Sequence, residues 1–371
     1  MNVVIRADAS VTIGTGHVMR CLTLANQLRQ KGAKVTFLCR ELKGNLCDYI
    51  SGQGFRIYQL PYKSSDSNDI GDGLYEQWLA VTMSLEIQQV EKILSEQIGR
   101  LDWLIVDHYA LDAQWETQMR KYVERLMVID DLANRPHECD ILLDQNLYEN
   151  LDERYDGLVP SDCRTMLGPR FAILRPEFVQ HRRELPEHSG EIRRVLLFFG
   201  GIDVTNETSI ALDAVKLLER DDLTFEVVIG GSNQHADEIE RRCADMKNAH
   251  FHCQIDDMAA LMASCDLAIG GGGTTTWERC CLGLPCLTIA VAENQVEVAR
   301  LASKAGFSRF LGKAPEVVAE NISETLKQVM SDPALVRRMS QAGLKVVSGD
   351  GIEIVVALLL ELIVQSTEQI K

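Results

Sequence analysis

The chain has 371 residues and a mass of 41.5 kDa, a length that fits about two or three domains. Hydrophobic residues make up 46% and charged residues 25%, ordinary globular values that exclude a disordered or fibrous chain. The formal charge of −16 speaks against a general nucleic-acid binder, which needs a positive field, so an anionic substrate would have to be held by local backbone donors.

The chain opens on MNVVIRADAS, which reads as a strand with charges and not as a signal peptide. Apolar runs then recur at residues 3–5, 34–38, 103–106, 126–129 and 141–143. Each ends in a Gly- or Asp-rich turn, and helical patterns separate them, as over 17–31. A second series follows at 195–199, 225–229, 267–269 and 286–289. Strands alternating with helical patterns predict parallel α/β layers. Between the series, HRRELPEHSGEIRR (181–194) is charged, holds Pro186 and Gly190 and lacks an apolar period, which reads as a linker. The expected division is 1–185, 186–345 and a C-terminal helix at 346–371. The apolar stretch 352–364 is interrupted by Glu353 and Glu361 and is shorter than the ~20 residues a membrane span needs. The 11 cysteines form no CxxC pair. Cys39, Cys265, Cys281 and Cys286 sit in apolar runs, as reduced thiols of a cytoplasmic core would.

In open α/β sheets, ligands bind beyond the carboxyl ends of the strands, in two such domains at the cleft between them. The residues just after the strands, Gly200 and Gly201 among them, are therefore the candidates. The strongest signal is CDLAIGGGGTTTWERCCLGLP, residues 265–285. Four glycines end a strand, and Thr274, Thr275 and Thr276 open a helix. Glycine lets backbone amides approach a ligand, and a helix N-terminus attracts a diphosphate. A tight strand-to-helix turn is the alternative reading. No GK[ST] follows, so this is not a P-loop.

IGTGHVMR, residues 13–20, is the second signal. Gly14, Thr15 and Gly16 bring backbone close to a ligand, and His17 falls in the first helical turn. That position favours the neutral imidazole a general base needs; a capping role is the alternative. Asp8 ends the first strand as a candidate substrate contact. Asp107 and His108 follow another strand, where neighbours point to opposite faces; Asp107 could also cap the next helix. Asp130, Asp131 and Asp144 read as turn residues. His250 and His252 alternate along a strand, a weak metal signal, and neither CxxC nor HExxH supports it.

In order along the chain, RADAS, IGTGHVMRCLTLA, IVDHYALD, DDLANRPHECDILLDQN, GPRFAILRPEF, LLFFGGIDVTN and IDDMAALMASCDLAIGGGGTTTWERCCLGLP…ENQ resemble the UDP-sugar hydrolases of the pseudaminic acid pathway. That family's substrate is UDP-2,4-diacetamido-2,4,6-trideoxy-β-L-altropyranose. The second half also resembles the UDP-N-acetylglucosamine transferase that makes lipid II. Both resemblances imply a GT-B fold of two Rossmann-like domains. They imply that Ile255, Asp256, Asp257 and Met258 hold the uracil through backbone groups, that Glu278 holds the ribose, and that Gly272, Gly273, Thr274 and Thr275 meet the diphosphate. Asn294 and Gln295 would face the sugar, with Arg170 and Arg175 as further phosphate or interdomain contacts. His17 would activate water for inverting attack at the anomeric carbon, with no metal or other cofactor. The partner is then a UDP-sugar, with no nucleic acid and no membrane insertion; the sequence sets no oligomeric state. Because the second half looks alike in a hydrolase and a transferase, water as acceptor rests on the first half. A glycosyltransferase and a non-catalytic nucleotide-sugar binder are the alternative readings.

Overall fold

The structure, a computed structural model, describes residues 1–62, 75–255 and 257–369. The chain forms two compact units. The first comprises Met1–Asn146, Asn150–Ile173 and Gly351–Lys371, and the second Leu147–Glu149 and Leu174–Asp350.

The first unit is built on β1 (Asn2–Ala7), β2 (Lys34–Arg40), β3 (Arg56–Leu60), β4 (Leu101–Asp107), β5 (Val123–Ile129), β6 (Ile141–Asp144) and β7 (Arg164–Leu167). They form one seven-stranded sheet in the order β3-β2-β1-β4-β5-β6-β7, and every pairing is parallel. Helices α1 (Gly16–Gln30), α2 (Cys47–Gly52), α3 (Met83–Ile93) and α4 (Ala113–Met119) lie in the connections. A parallel sheet is covered on both faces, so its central strands read as continuous apolar runs. Five successive residues of β1 are buried accordingly.

The second unit begins with α5 (Pro176–Glu184) and is built on β8 (Arg194–Phe198), β9 (Thr224–Ile229), β10 (Ala249–Cys253), β11 (Leu267–Gly271), β12 (Cys286–Ala290) and β13 (Ser308–Lys313). Its six strands run in the order β10-β9-β8-β11-β12-β13, again all parallel. Its other helices are α6 (Glu207–Lys216), α7 (Ala236–Ala244), α8 (Met258–Ala263), α9 (Thr275–Leu282), α10 (Val296–Lys304), α11 (Ala319–Met330) and α12 (Pro333–Val346).

The chain passes from one unit to the other between Ile173 and Leu174, ahead of the expected boundary at 185. The charged stretch expected to be a linker is held within the second unit. Arg182 of α5 donates to the carbonyls of Cys281 (2.9 Å), Val347 (2.7 Å) and Leu344 (2.8 Å), the unsatisfied acceptors that helix ends leave. Gly190 lies against α12: a Cβ there would stand 2.3 Å from the Pro333 carbonyl oxygen. Helix α13 (Gly351–Gln369) returns to the first unit. Its Ile352, Val355, Val356, Leu359 and Leu362 join that unit's core, each buried apolar side chain contributing ~1.5–3 kcal/mol. Trp103 Nε1 donates to the Leu359 carbonyl at 3.1 Å. No helix among the described residues is long and apolar enough to cross a membrane.

Both sheets have one topological switch point, between β1 and β4 in the first and between β8 and β11 in the second. There the chain leaves neighbouring strands in opposite directions and opens a crevice at their carboxyl ends.

Candidate functional site

The first crevice holds the loop after β1. Ser10 Oγ accepts from the amides of Thr12 (3.1 Å) and Ile13 (2.9 Å), and the Gly14 amide donates to the Ser10 carbonyl at 2.9 Å. Gly14 has φ +85°, and a Cβ there would meet nothing within 4 Å, so glycine here serves backbone conformation. Thr15 precedes α1 without capping it through its side chain, and Gly16 begins the helix. His17 thus lies in the first turn, where Nδ1 meets Asp107 Oδ1 at 2.5 Å. Asp107 ends β4, on the other side of the switch point.

Asp107 is fully buried. Burial opposes its ionisation, but Arg20 and then His17 outweigh burial and hold the carboxyl well below the usual carboxylate range. Arg20 Nε donates to Asp107 Oδ2 at 2.6 Å and Nη2 to Oδ1 at 2.7 Å. Asp107, ionised, can only accept, so Nδ1 is the donor in this contact, and a neutral ring so held carries its lone pair on Nε2. Nε2 has no hydrogen-bond partner among the described residues, and His17 keeps 8% of its surface exposed. The pair therefore offers one oriented proton acceptor.

Aromatic rings surround this imidazole. Tyr109 meets it edge-on at 4.6 Å and Trp78 at 5.8 Å. Trp78 stacks on Tyr109 at 5.1 Å, and Tyr75 packs edge-on against both. The Tyr109 hydroxyl donates to Asp131 Oδ2 at 2.6 Å. Asp131 also accepts from Arg20, at 3.1 Å to Oδ1 and 2.8 Å to Oδ2, and from Asn146 at 3.0 Å.

Asp8 and His108 face a different environment. Asp8 accepts from Arg6 at 2.6 and 2.8 Å and from the Arg40 amide at 2.7 Å. Its Oδ2 stands 3.3 Å from His108 Nε2. Arg6 and Arg40 also pair with Glu86. All of these side chains are buried. Asp8, expected as a substrate contact, lies in an ion network inside the first unit, where a buried carboxylate is tolerated only with such partners. His108, also expected to contact substrate, points into the same network, and burial pushes its pKa down. Asp107 and His108 thus face opposite ways, as successive strand residues do.

The second crevice lies between the turns after β8 and β11. Gly200 has φ +98° with open space around it. Gly201 packs under Gly230, whose Cβ would fall 2.3 Å from the Gly201 carbonyl oxygen. In the run 270–273 the glycines divide. Gly270 belongs to the sheet: a Cβ there would stand 2.3 Å from the Phe198 carbonyl oxygen. Gly272 and Gly273 meet nothing closer than 3.3 Å. The Gly272 amide donates to Gln295 Oε1 at 3.1 Å, which also accepts from the Val291 amide at 3.1 Å. Gln295, expected to face a sugar, therefore commits its oxygen to bracing the turn. The amides of Gly273, Thr274 and Thr275 donate to no group among the described residues, and the Thr274 side chain does not cap α9. Beneath the turn lies buried Arg279, which donates to the Gly271 carbonyl at 2.8 Å and to the hydroxyls of Thr275 (3.2 Å) and Thr276 (3.1 Å). The turn thus joins free amides, a helix N-terminus and a cation, which together suit an anion.

Arg175 and Glu278 are paired at 3.3 Å, and burial pushes the Glu278 carboxyl up in spite of Arg175. Asn294 stands in the turn Glu293–Gln295 beside Gln295. Ile255 precedes α8 and Met258 begins it, buried; Asp256 lies outside the described residues. Arg170 stacks on Phe171 in the first unit, 4.3 Å from the ring centroid. His250 and His252 both bond Glu226, at 3.1 and 2.6 Å, and Arg194 joins them there.

Sequence reasoning missed Arg20, Arg279, Trp78 and Tyr75, and took Asp131 for a turn residue. One signal existed: Arg20 stands three positions after His17 on a predicted helix, the spacing that puts two side chains on one face.

Residues 182–346 match the family model described as glycosyl transferases group 1. The chain is 27% identical to the spore coat polysaccharide biosynthesis protein SpsG of Bacillus subtilis (strain 168), over 98% of each chain. It is 26% identical to the UDP-2,4-diacetamido-2,4,6-trideoxy-β-L-altropyranose hydrolase of Campylobacter jejuni subsp. jejuni serotype O:2, over 83% of this chain and 98% of the other. Among solved structures, MurG of Acinetobacter baumannii aligns with a TM-score of 0.63 at 16% identity, covering 97% of this chain and 99% of its own. The chain has the GT-B fold, and over most of its length it resembles the UDP-diacetamido-altropyranose hydrolases.

Proposed function

We propose that this chain hydrolyses a UDP-activated diacetamido-trideoxy sugar, the UDP-2,4-diacetamido-2,4,6-trideoxy-β-L-altropyranose of its relatives, to UDP and the free sugar. The observation that carries the reading is the contact between His17 Nδ1 and Asp107. It orients the ring and leaves Nε2 to accept a proton from water. The water oxygen forms a bond to the anomeric carbon, the bond from that carbon to the diphosphate oxygen breaks, and the configuration inverts. UDP leaves with its developing charge met by the amides of Gly273, Thr274 and Thr275, the start of α9 and the Arg279 guanidinium. Glu278 is assigned to the ribose, and Gly200, Gly201, Ile255, Met258, Arg175 and Asn294 to the surroundings of the nucleotide sugar. Gly14, Thr15 and Gly16 shape the approach to His17. The placement of a reduced, cytoplasmic enzyme in pseudaminic acid biosynthesis belongs to the same reading.

A glycosyltransferase is the second reading, favoured by the glycosyl transferase match over 182–346. Incubation with the UDP-sugar and no acceptor separates the two. The hydrolase releases UDP at full rate in buffer, whereas a transferase releases it only when an acceptor is added.

A further inference from the structure

Arg20 joins the two carboxylates of the first crevice. It is a buried arginine in the second turn of α1, and its guanidinium bridges two carboxylates from two strand ends. One edge grips Asp107 through Nε and Nη2; Nη1 and Nη2 reach Asp131. Each carboxylate leads on to His17, Asp107 directly and Asp131 through Tyr109. Asp107 takes His17 Nδ1. Asp131 takes the hydroxyl of Tyr109, whose ring lies edge-on to the imidazole. Both neighbours that fix the imidazole are thus fixed in turn by one planar fork. A lysine ammonium lacks that planar fork and cannot reproduce its paired bonds to Asp107 while also reaching Asp131.

We propose that Arg20 is a positioning residue for the reaction, holding Asp107 against His17 Nδ1 and, through Asp131, the Tyr109 ring against the imidazole. The inference rests on the assignment of His17 as the base. Arg20 touches no reacting atom and acts only through His17.

A double-mutant cycle in the full chain tests this, with acceptor-free UDP release from the diacetamido-trideoxy UDP-sugar as the readout. Arg20→Lys should lower kcat ~10–100-fold with KM within about twofold, an effect of the size seen when residues that orient a catalytic group are lost. In a His17→Asn background the same substitution should cost less than about twofold, because there is no base left to position. Should Arg20→Lys fail to fold, Asp131→Asn keeps the arginine and enters the same cycle. An equal loss in both backgrounds overturns the proposal and leaves Arg20 a structural residue. Full turnover of Arg20→Lys or of Asp131→Asn, while His17→Asn is inactive, overturns the proposal and leaves the base assignment standing. Full turnover of His17→Asn itself overturns the base assignment and this proposal together.

Discussion

His17 and Asp107 are separated by 90 positions and meet at 2.5 Å across the switch point of the first sheet. The fold brings them together because β1 and β4 are neighbours whose following segments depart in opposite directions. A ring held at Nδ1 by an ionised, fully buried carboxylate keeps one nitrogen for chemistry, and the proposed reaction depends on that nitrogen.

Replacing His17 by Asn should lower turnover by ~10²–10⁴-fold, the usual contribution of a positioned general base. The nucleotide groups are assigned to the second unit, so UDP affinity should stay within about twofold. Parallel titration calorimetry and UDP-release assays check both halves. Near-full turnover contradicts the assignment.

The glycine run should separate by position. Gly270→Ala drives a Cβ into the Phe198 carbonyl and should lower the melting temperature sharply or prevent folding. Gly273→Ala has room in the fold, so its melting temperature should stay within a few degrees while UDP binding weakens by about tenfold or more. Equal behaviour of the two variants in thermal melts and UDP titrations would count against the turn as an anion site.

Asp8→Asn should be a stability variant. It leaves Arg6 short of a buried partner, a change that costs ~3–5 kcal/mol. The folded fraction should bind UDP and turn over with unchanged KM. A raised KM with unchanged stability would restore Asp8 as a substrate contact.

Asp144 gives the first unit a pH dependence of its own. Burial, and then Asp131, push its carboxyl up to about 7, against ~3.9 in an unfolded chain. Between roughly pH 4 and 7 the folded chain holds a proton that the unfolded chain has released, so this group's contribution falls as pH rises through that window. Urea midpoints of the wild type should therefore drop relative to those of Asp144→Asn on going from pH 5 to pH 8. Parallel curves for the two proteins would contradict this assignment.

The central strands of both sheets were legible because a strand covered on both faces must be a continuous apolar run. The strands that gave no such signal, β3, β7, β10 and β13, are sheet edges. Half-exposed sequences such as RIYQL and SRFLGK alternate weakly and carry charges. His17, Asp107 and the glycine turn stood out because each ends a strand or opens a helix. Arg20 and Arg279 did not, since a lone arginine in a helical pattern reads as a solvated side chain. Only the pairing of Arg20 with two distant carboxylates, and of Arg279 with a backbone carbonyl and two hydroxyls, reveals why each is buried. The partners of Asp8 were equally hidden: a strand-end carboxylate reads as a ligand contact, and only the structure shows Arg6, two residues earlier, beside it.

The most direct test of the account is the fate of the oxygen from water. The protein is incubated with the diacetamido-trideoxy UDP-sugar, without acceptor, in ¹⁸O-labelled water, and the products are weighed by mass spectrometry. Unlabelled UDP with labelled free sugar is the expected result, since the water oxygen joins the anomeric carbon. UMP with sugar 1-phosphate, or label in the UDP, would place the attack at phosphorus and contradict the account.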